Sequence, residues 1–275
     1  MPHRRVAVLA GAVAVSALTL GACSTADPAA PSATPASATV PTTPTAPRSA
    51  TAPTHTTTPT APHTTTPTVH AAGRASLPVD EPAHGAGQVI TVQARSTTDT
   101  TAVLKRWRRA AGGWRRIGPS VPANLGTDGM SRHASESRSA TPVGSFTLTR
   151  AFGHDADPGT RLPYTQTTPD DWWISQPGPL YNTRQRCASQ CAFTQGDPNE
   201  HLYYETPAYD YAVVIDYNTR NAPGGVRQGR GSAFFLHVSE GRPTAGCVSI
   251  PVDQLLRVLR WLKPRDKPRI LIGTG

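Results

Sequence analysis

A histidine and a cysteine near the C-terminus are the residues of this chain whose types and spacing best suit chemistry. His237 ends an apolar run, and Gly246-Cys247 follows the polar loop after it. A thiol is mostly protonated at neutral pH, and a nearby imidazole can take its proton and make it a nucleophile. Glycine before cysteine allows a tight backbone whose N–H groups point at a developing oxyanion. These residues predict a cysteine nucleophile with a histidine base; a buried structural cysteine beside a hydrogen-bonded histidine is the alternative.

The cysteine count supports a reactive role for Cys247. The chain has four cysteines, and Cys187 and Cys191 are close neighbours that we expect to form a disulfide. Cys23 lies in a separate N-terminal motif, which leaves Cys247 without an intramolecular partner. Two cysteines beside a single histidine lack the fourth ligand of a structural zinc site, so no metal and no other cofactor is expected.

The N-terminus predicts export and attachment to a membrane. Basic residues precede an apolar run from Val6 to Leu20, and Gly21-Ala22-Cys23 follows it. This order is typical of a signal peptide, here residues 1–22, and the cysteine after small residues resembles the bacterial lipobox. We therefore expect Cys23 to be lipidated, with plain secretion as the alternative. The apolar run is too short to predict a stable spanning helix.

Composition separates a linker from a folded domain. Residues 23–85 are dominated by Thr, Pro and Ala and contain few large apolar side chains. Such a segment cannot bury enough surface to offset its conformational entropy, so a disordered tether is predicted. The folded domain is predicted at 86–275.

The elements that must position His237 and Cys247 are mainly strands. One helix is predicted after Pro251, because leucines recur there at helical spacing before Pro264 closes the segment. The predicted fold is therefore mainly β with one clear C-terminal helix. Period-two alternation and flanking turns predict strands at 88–94, 102–107, 114–117, 145–152, 209–217, 232–238 and 269–272.

The charge of the chain narrows the choice of partners. The formal net charge is +9, but the arginines are scattered and no nucleic-acid-binding motif accompanies them. We expect no nucleic-acid partner. An anionic wall polymer or a phospholipid surface suits this charge equally well.

Several segments, in this order, resemble the catalytic domain of the L,D-transpeptidases, the YkuD-like family. Thr141-Pro142-Val143-Gly144-Ser145-Phe146 resembles a strand motif of that family, and His237 followed by Thr244-Ala245-Gly246-Cys247 resembles its catalytic motif. Stretches at 181–182, 199–202 and 209–218 are similar to an actinobacterial lipoprotein branch. The resemblance covers roughly residues 88–275.

The resemblance implies roles for individual residues. Cys247 would be the nucleophile, His237 the base, and the backbone N–H groups of Ala245, Gly246 and Cys247 the oxyanion hole. The chain departs from the family pattern at Ala245, where many members have histidine, and at Ser249, where they have arginine or asparagine. The group that orients the imidazole stays unassigned, with a backbone carbonyl as a candidate. The residues expected to contact substrate are Tyr217, Asn218, Ser232 and Thr244.

The implied activity is cross-linking of peptidoglycan. Cys247 would form a thioester with a tetrapeptide stem, release D-alanine and pass the acyl group to an amine of a second stem. An L,D-carboxypeptidase that hydrolyses the same thioester, or a non-catalytic wall-binding lipoprotein, are the alternatives. The family is also implied to be acylated by carbapenems. We expect a monomer at the outer face of the membrane, in the cell wall.

Overall fold

The computed structural model describes residues 76–275. The predicted signal peptide, Cys23 and most of the predicted linker lie outside the described residues. The described part has 14 strands and one α-helix, which confirms the predicted mainly β fold with a single C-terminal helix. The strands are β1 (Gln88–Ala94), β2 (Thr101–Ala110), β3 (Gly113–Asn124), β4 (Met130–Ser131), β5 (Thr141–Pro142), β6 (Gly144–Gly153), β7 (Tyr164–Gln166), β8 (Asp171–Ile174), β9 (Thr183–Arg186), β10 (Glu200–His201), β11 (Ala212–Ile215), β12 (Phe235–Val238), β13 (Val248–Ile250) and β14 (Arg269–Thr274).

The main sheet closes on itself. Its nine strands run in the order β11-β12-β13-β3-β2-β1-β14-β6-β7, and β11 also pairs with β6. That extra pairing joins β11 at one end to β6 near the other, so eight strands form a barrel and β7 extends from β6. Closure removes the exposed edges that would otherwise template pairing with other chains. A small sheet of β10, β8 and β9 is separate from the barrel.

The two faces of the barrel strands have different partners. One face builds the largest apolar cluster, with Ile90, Leu104 and Leu236 each 0% exposed. The opposite face of β6, β11 and β12 carries a second cluster that contains Phe152, Phe235 and Cys247. Successive side chains of a strand point to opposite faces. A residue next in sequence to a member of the first cluster, such as Phe235 beside Leu236, therefore belongs to the second cluster.

The helix α1 (Val252–Trp261) packs into the largest cluster. It begins directly after Pro251 and ends before Pro264, as the sequence predicts. Three of its side chains are buried, Leu255, Val258 and Leu259. The helical spacing of the leucines predicts that Val252 is buried on the same side of the helix. It is instead 43% exposed, because it lies in the first turn, beyond the edge of the core.

The folded domain begins earlier than the sequence indicated. Residues 76–85 belong to the predicted linker, but they are described and pack against the barrel. Val79 is only 3% exposed and shares a cluster with Trp107 and Leu271, with Leu77 beside them. The apolar side chains of Leu77, Val79 and Ala83 attach this segment to the barrel.

Two predicted strands are shorter than expected because of turns at their starts. Tyr209 and Asp210 donate backbone hydrogen bonds to Glu205 and Pro207, so β11 begins only at Ala212. Ala233 adopts a left-handed φ of 55°, which interrupts the strand before β12. No helix between residues 76 and 275 has the length and apolarity needed to cross a membrane.

Candidate active site

The register of two neighbouring strands brings His237 and Cys247 to one face of the barrel. Strands β12 and β13 are parallel, with Leu236 opposite Val248 and His237 opposite Ser249. Leu236 and Val248 point into the core. Alternation therefore places His237, Cys247 and Ser249 together on the other face.

This face forms the floor of a cavity of about 450 Å³. The cavity contains a thiol, an imidazole, a phenol, several carboxylates and two guanidinium groups, which is a set able to perform acid–base and nucleophilic chemistry. The residues used below are Ser135, Glu136, Arg138, Asp197, Glu200, Glu205, Tyr209, Ser232, His237, Glu240, Arg242, Thr244, Cys247 and Ser249.

The Cys247 thiol is free, buried and held by the backbone. Its Sγ–H donates to the carbonyl of Ala233 at 3.3 Å, and Sγ accepts the N–H of Phe235 at 3.3 Å. Burial raises the pKa of the Cys247 thiol well above its usual range, and the negative charge of Glu200 raises it further. The Phe235 N–H and the Tyr209 hydroxyl act in the opposite direction. The resting residue is therefore a neutral thiol.

The His237 imidazole is oriented by a backbone carbonyl. Its Nδ1 lies 2.8 Å from the carbonyl oxygen of Val238, which can only accept. Nδ1 therefore carries the hydrogen in the neutral ring, and Nε2 keeps the free lone pair that a base needs. Burial lowers the pKa of His237, although the Val238 carbonyl opposes this. The imidazole is neutral at neutral pH.

The thiol and the imidazole share the cavity without a hydrogen bond between them in the described structure. The Cys247 thiol is turned toward Ala233 instead. The thiol hydrogen must turn away from the Ala233 carbonyl before Nε2 can take it. Catalytic hydrogen bonds are often long in unliganded enzymes and shorten when substrate binds, so this arrangement fits a resting state.

A glutamate and a tyrosine lie beside the thiol. The Tyr209 hydroxyl donates to Oε2 of Glu200 at 2.6 Å, and the Tyr209 ring packs edge-to-face on the His237 ring at 5.5 Å. Burial raises the pKa of Glu200 to about 7, with further contributions from Glu205 and Glu136, while the Tyr209 hydroxyl lowers it. Glu200 therefore changes charge near neutral pH, close to the Cys247 thiol.

This pair predicts opposite effects of two substitutions on the reactivity of Cys247. As pH rises through about 7, Glu200 ionises and opposes thiolate formation, so the rise of the alkylation rate with pH should flatten there. Glu200→Gln should remove the flattening and speed alkylation at pH 7.5 about tenfold. Tyr209→Phe should slow it, because the thiolate loses the Tyr209 hydroxyl, whose hydrogen can turn to it from Glu200. Iodoacetamide kinetics from pH 5 to 10 measure both effects.

Asp197→Asn is the matched control for these two variants. Asp197 lines the same cavity but is exposed and contributes to the pKa of neither Cys247 nor Glu200. Its loss should leave the profile nearly unchanged. Equal effects of Glu200→Gln and Asp197→Asn would show that general cavity charge, rather than contact with the thiol, sets the reactivity.

Residues 92–272 match the model of the YkuD family, described as the L,D-transpeptidase catalytic domain. The chain belongs to this family. No curated protein and no solved structure matched it. The family supports catalytic activity on peptidoglycan in the cell wall.

The loop before Cys247 of this YkuD domain requires a glycine. Gly246 has a φ of 135°, and a Cβ there would lie 2.7 Å from a ring carbon of Phe234. Its N–H donates to Oγ1 of Thr244 at 3.1 Å, and that hydroxyl donates to the Cys247 carbonyl at 2.7 Å. One of the three N–H groups predicted for the oxyanion hole, that of Gly246, is thus engaged by a side chain. It becomes available only when Thr244 rotates.

The four residues predicted to contact substrate fall into two groups. Ser232 and Thr244 line the cavity that contains Cys247, and Ser232 donates to Ser175 at 2.7 Å. Tyr217 and Asn218 line a different cavity. The Asn218 side-chain amide donates to the carbonyls of Arg227 and Gly231, and its oxygen accepts the Arg227 N–H. Asn218 therefore fixes the loop before Ser232. The expected direct contact of Tyr217 and Asn218 with substrate is not supported by their placement.

Glu200, Tyr209 and Ser249 were not predicted to lie in the site. Glu200 lies in a two-residue strand that is too short to show a period, and Tyr209 lies in a turn, although the sequence placed it at the start of a strand. Ser249 Oγ is buried and has no hydrogen-bond partner among the described residues, and it faces the same cavity. The signal for Ser249 was its position two residues after Cys247 in an alternating strand.

The other two described cysteines form a disulfide. Cys187 and Cys191 are bonded to each other next to β9, where they pack with Trp172 and Phe193. Within residues 76–275, no group of three or more His, Cys, Asp or Glu side chains is placed to hold a metal ion.

Proposed function

We propose that this protein is a cysteine L,D-transpeptidase that cross-links peptidoglycan stems. The observation that carries the proposal is a free thiol, Cys247, on the floor of the same cavity as the neutral imidazole of His237. Membership in the YkuD family supports the substrate class. A cysteine with only a structural role would not have to lie on the floor of a cavity lined by polar side chains.

The first half-reaction forms a thioester. Nε2 of His237 takes the Sγ proton of Cys247, and the sulfur attacks the carbonyl carbon of the third stem residue. The bond from that carbon to the terminal D-alanine breaks, and the leaving amine takes the proton back from His237. Neutral thiol and neutral imidazole are the starting states that this transfer requires, because a protonated imidazole cannot act as a base.

The second half-reaction transfers the acyl group to an amine. A deprotonated amine of a second stem attacks the thioester carbonyl, its proton passes to His237, and Cys247 leaves as the thiol. The peptide-bond energy is kept in the thioester, so no nucleotide is needed outside the membrane. We expect the N–H groups of Ala245 and Cys247 to bind the oxyanion in both steps.

The charge of the cavity favours an amine as the acceptor. Acidic side chains outnumber basic ones on its wall, and Arg242 is already paired with Glu240 at 2.9 Å. An excess of negative charge concentrates cationic ammonium groups near the thioester. It also supports transpeptidation over hydrolysis. The acidic residues are Glu136, Asp197, Glu200, Glu205 and Glu240, and the basic ones are Arg138 and Arg242.

Product analysis tests the proposed reaction. The protein is incubated with a stem tetrapeptide, with and without a diamino-acid amide as acceptor, and the products are resolved by mass spectrometry. Transpeptidation predicts D-alanine release together with an acceptor-linked tripeptide. D-alanine release with only free tripeptide would indicate a carboxypeptidase, and no release despite binding would indicate a wall-binding module.

The proposal extends to location. The N-terminal sequence supports export and lipidation at Cys23, which would hold the domain outside the membrane, near its polymer substrate. Cys23→Ser should move the protein from the membrane fraction to the medium. Immunoblots of the two fractions measure this, and unchanged partitioning would contradict lipidation.

A further inference from the structure

A second cavity, of about 340 Å³, lies on the same face of the barrel as the active site. It is bounded by β6, β8, β9 and β11. Phe152, one of its lining residues, is aligned with Ala212, which is in turn aligned with His237. The cavity is therefore two strands away from the catalytic histidine, and Tyr209, Phe152 and Trp173 lie between the two sites. Its lining residues used below are Arg150, Ala151, Phe152, Pro163, Trp173, Asn182, Arg184, Val214 and Arg220.

Three guanidinium groups converge on this cavity. Among the described residues, neither Arg150 nor Arg220 has a hydrogen-bond or ion-pair partner for its side chain. Arg184 is paired with Asp171, but the same carboxylate also receives Arg186 at 2.7 Å. One carboxylate shared by two guanidiniums leaves the cavity with a net positive charge.

The nearest buried carboxylate does not neutralise this charge. Asp216 is 1% exposed, and its Oδ2 accepts the hydroxyls of Thr147 and Thr149 at 2.8 Å each. Its Oδ1 accepts the hydroxyl of Thr219 and the amide of Asn221. With both oxygens occupied, Asp216 acts on the cavity only at a distance.

The charged form of Arg150 is destabilised by this arrangement. Its guanidinium is half-buried and lies over the ring of Trp173, 5.5 Å from the ring centre. Burial and the charges of Arg220 and Arg184 lower the pKa of Arg150, and only Asp216 opposes them. Like charges at a concave, partly desolvated site are costly unless an anion joins them.

Part of the remaining lining is apolar. Ala151, Phe152, Pro163, Val214 and the Trp173 ring form this part of the wall, and Thr165, Asn182, Thr183 and Gln185 form a polar part. A guanidinium fork binds a carboxylate through two parallel hydrogen bonds. An apolar wall beside it suits a small aliphatic group on the carbon that carries the carboxylate, whereas a fully hydrated phosphate would leave that wall unused.

We propose that this cavity binds the C-terminal carboxylate of a peptide whose last residue has a small apolar side chain. Arg150 and Arg220 hold the carboxylate, and the wall of Trp173 and Val214 receives the side chain. The proposal draws on the proposed function for the source of such peptides, since uncross-linked stems of the wall end in this way.

The walls of the two cavities are joined by hydrogen bonds. Oδ1 of Asn182, which lines the second cavity, accepts the indole N–H of Trp173 at 2.9 Å and the backbone N–H of Ala233 at 3.2 Å. The Ala233 carbonyl holds the Cys247 thiol. An occupant of the second cavity therefore contacts the residues that support the resting position of the nucleophile.

Titrations of the full-length protein followed by NMR test the proposal through the Trp173 indole N–H resonance. N-acetyl-D-alanine should shift this resonance in a saturable way, and N-acetyl-D-alaninamide, which lacks the carboxylate, should not. Arg150→Gln and Arg220→Gln should each weaken binding about tenfold or more. Arg115→Gln removes the same charge from an exposed position of β3 and should leave binding unchanged.

Three outcomes would overturn the proposal: equal binding of the amide, inorganic phosphate binding as tightly as N-acetyl-D-alanine, or unchanged binding in Arg220→Gln. Arg220 is exposed, and its side chain has no hydrogen bond or ion pair within residues 76–275. The Arg220→Gln variant therefore keeps the test valid even where Arg150→Gln perturbs the fold. Because no bond to Cys247 forms in the titration, its failure leaves transpeptidation untouched. Failure of the product analysis likewise leaves the binding result standing.

Discussion

Cys247→Ser should abolish thioester formation while leaving the domain folded. A hydroxyl is far less acidic than a thiol, and the buried site offers one imidazole to activate it. Removal of a comparable nucleophile from a hydrolase lowers kcat by about 10⁶-fold. We therefore expect neither D-alanine release nor a carbapenem adduct above background. Intact-mass spectrometry after incubation with the carbapenem measures the adduct directly.

The serine variant is a better control than alanine because the thiol also has a structural role. Sγ accepts the Phe235 N–H and donates to the Ala233 carbonyl, and a serine hydroxyl can do both. Cys247→Ala leaves that buried N–H without a partner, at a cost of about 1–3 kcal/mol in the free energy of unfolding. Thermal unfolding should therefore rank wild type and Cys247→Ser above Cys247→Ala, although both variants lack the reaction.

A tryptic map of the adduct decides the assignment. The carbapenem mass should appear only on the peptide that contains Cys247. An adduct on another residue, or D-alanine release by the serine variant at a rate near that of wild type, would refute Cys247 as the nucleophile.

Elements whose positions depend on a local sequence pattern are predicted correctly. The spacing of Leu255 and Leu259 fixes the helix, and strict alternation gives β1 and β14 their bounds to within two residues. His237 and Cys247 are predicted from residue type and from a resemblance whose motif is short and contiguous. The intervening loop allows the two residues to meet, but a loop of this length does not predict the parallel β12–β13 pairing that places them on one face.

The rest of the site depends on long-range packing that no local pattern encodes. Glu200 lies in the short strand β10 and Tyr209 in a turn, and they reach the thiol because the small sheet packs on the outer face of the barrel through Trp173. Tyr217 and Asn218 were assigned to the cleft by resemblance, yet a turn at Asp216 directs them to another cavity. Periodicity predicts on which face of a strand a side chain lies, but it does not predict where a side chain in a turn points.

His237→Asn should slow acylation by about 10²–10⁴-fold, the usual cost of losing a general base. The asparagine amide can replace the Nδ1–H donor to the Val238 carbonyl, so the variant keeps the local hydrogen bond and loses only the lone pair of Nε2. His133→Ala, at an exposed position, is the matched control and should be unaffected. Stopped-flow acylation by a carbapenem measures the rates.

The pH dependence separates a base from a structural residue. In the wild type the pKa of His237 is lowered, so acylation should fall only when pH drops through that lowered value and should be flat at neutral pH. Without the imidazole, the thiol must ionise alone, and its pKa is raised by burial. The rate of His237→Asn should therefore keep rising toward alkaline pH, and the deficit relative to wild type should shrink there. A deficit of constant size from pH 6 to 10 would mean that His237 shapes the site without taking the proton, since a structural defect does not depend on the charge of the thiol.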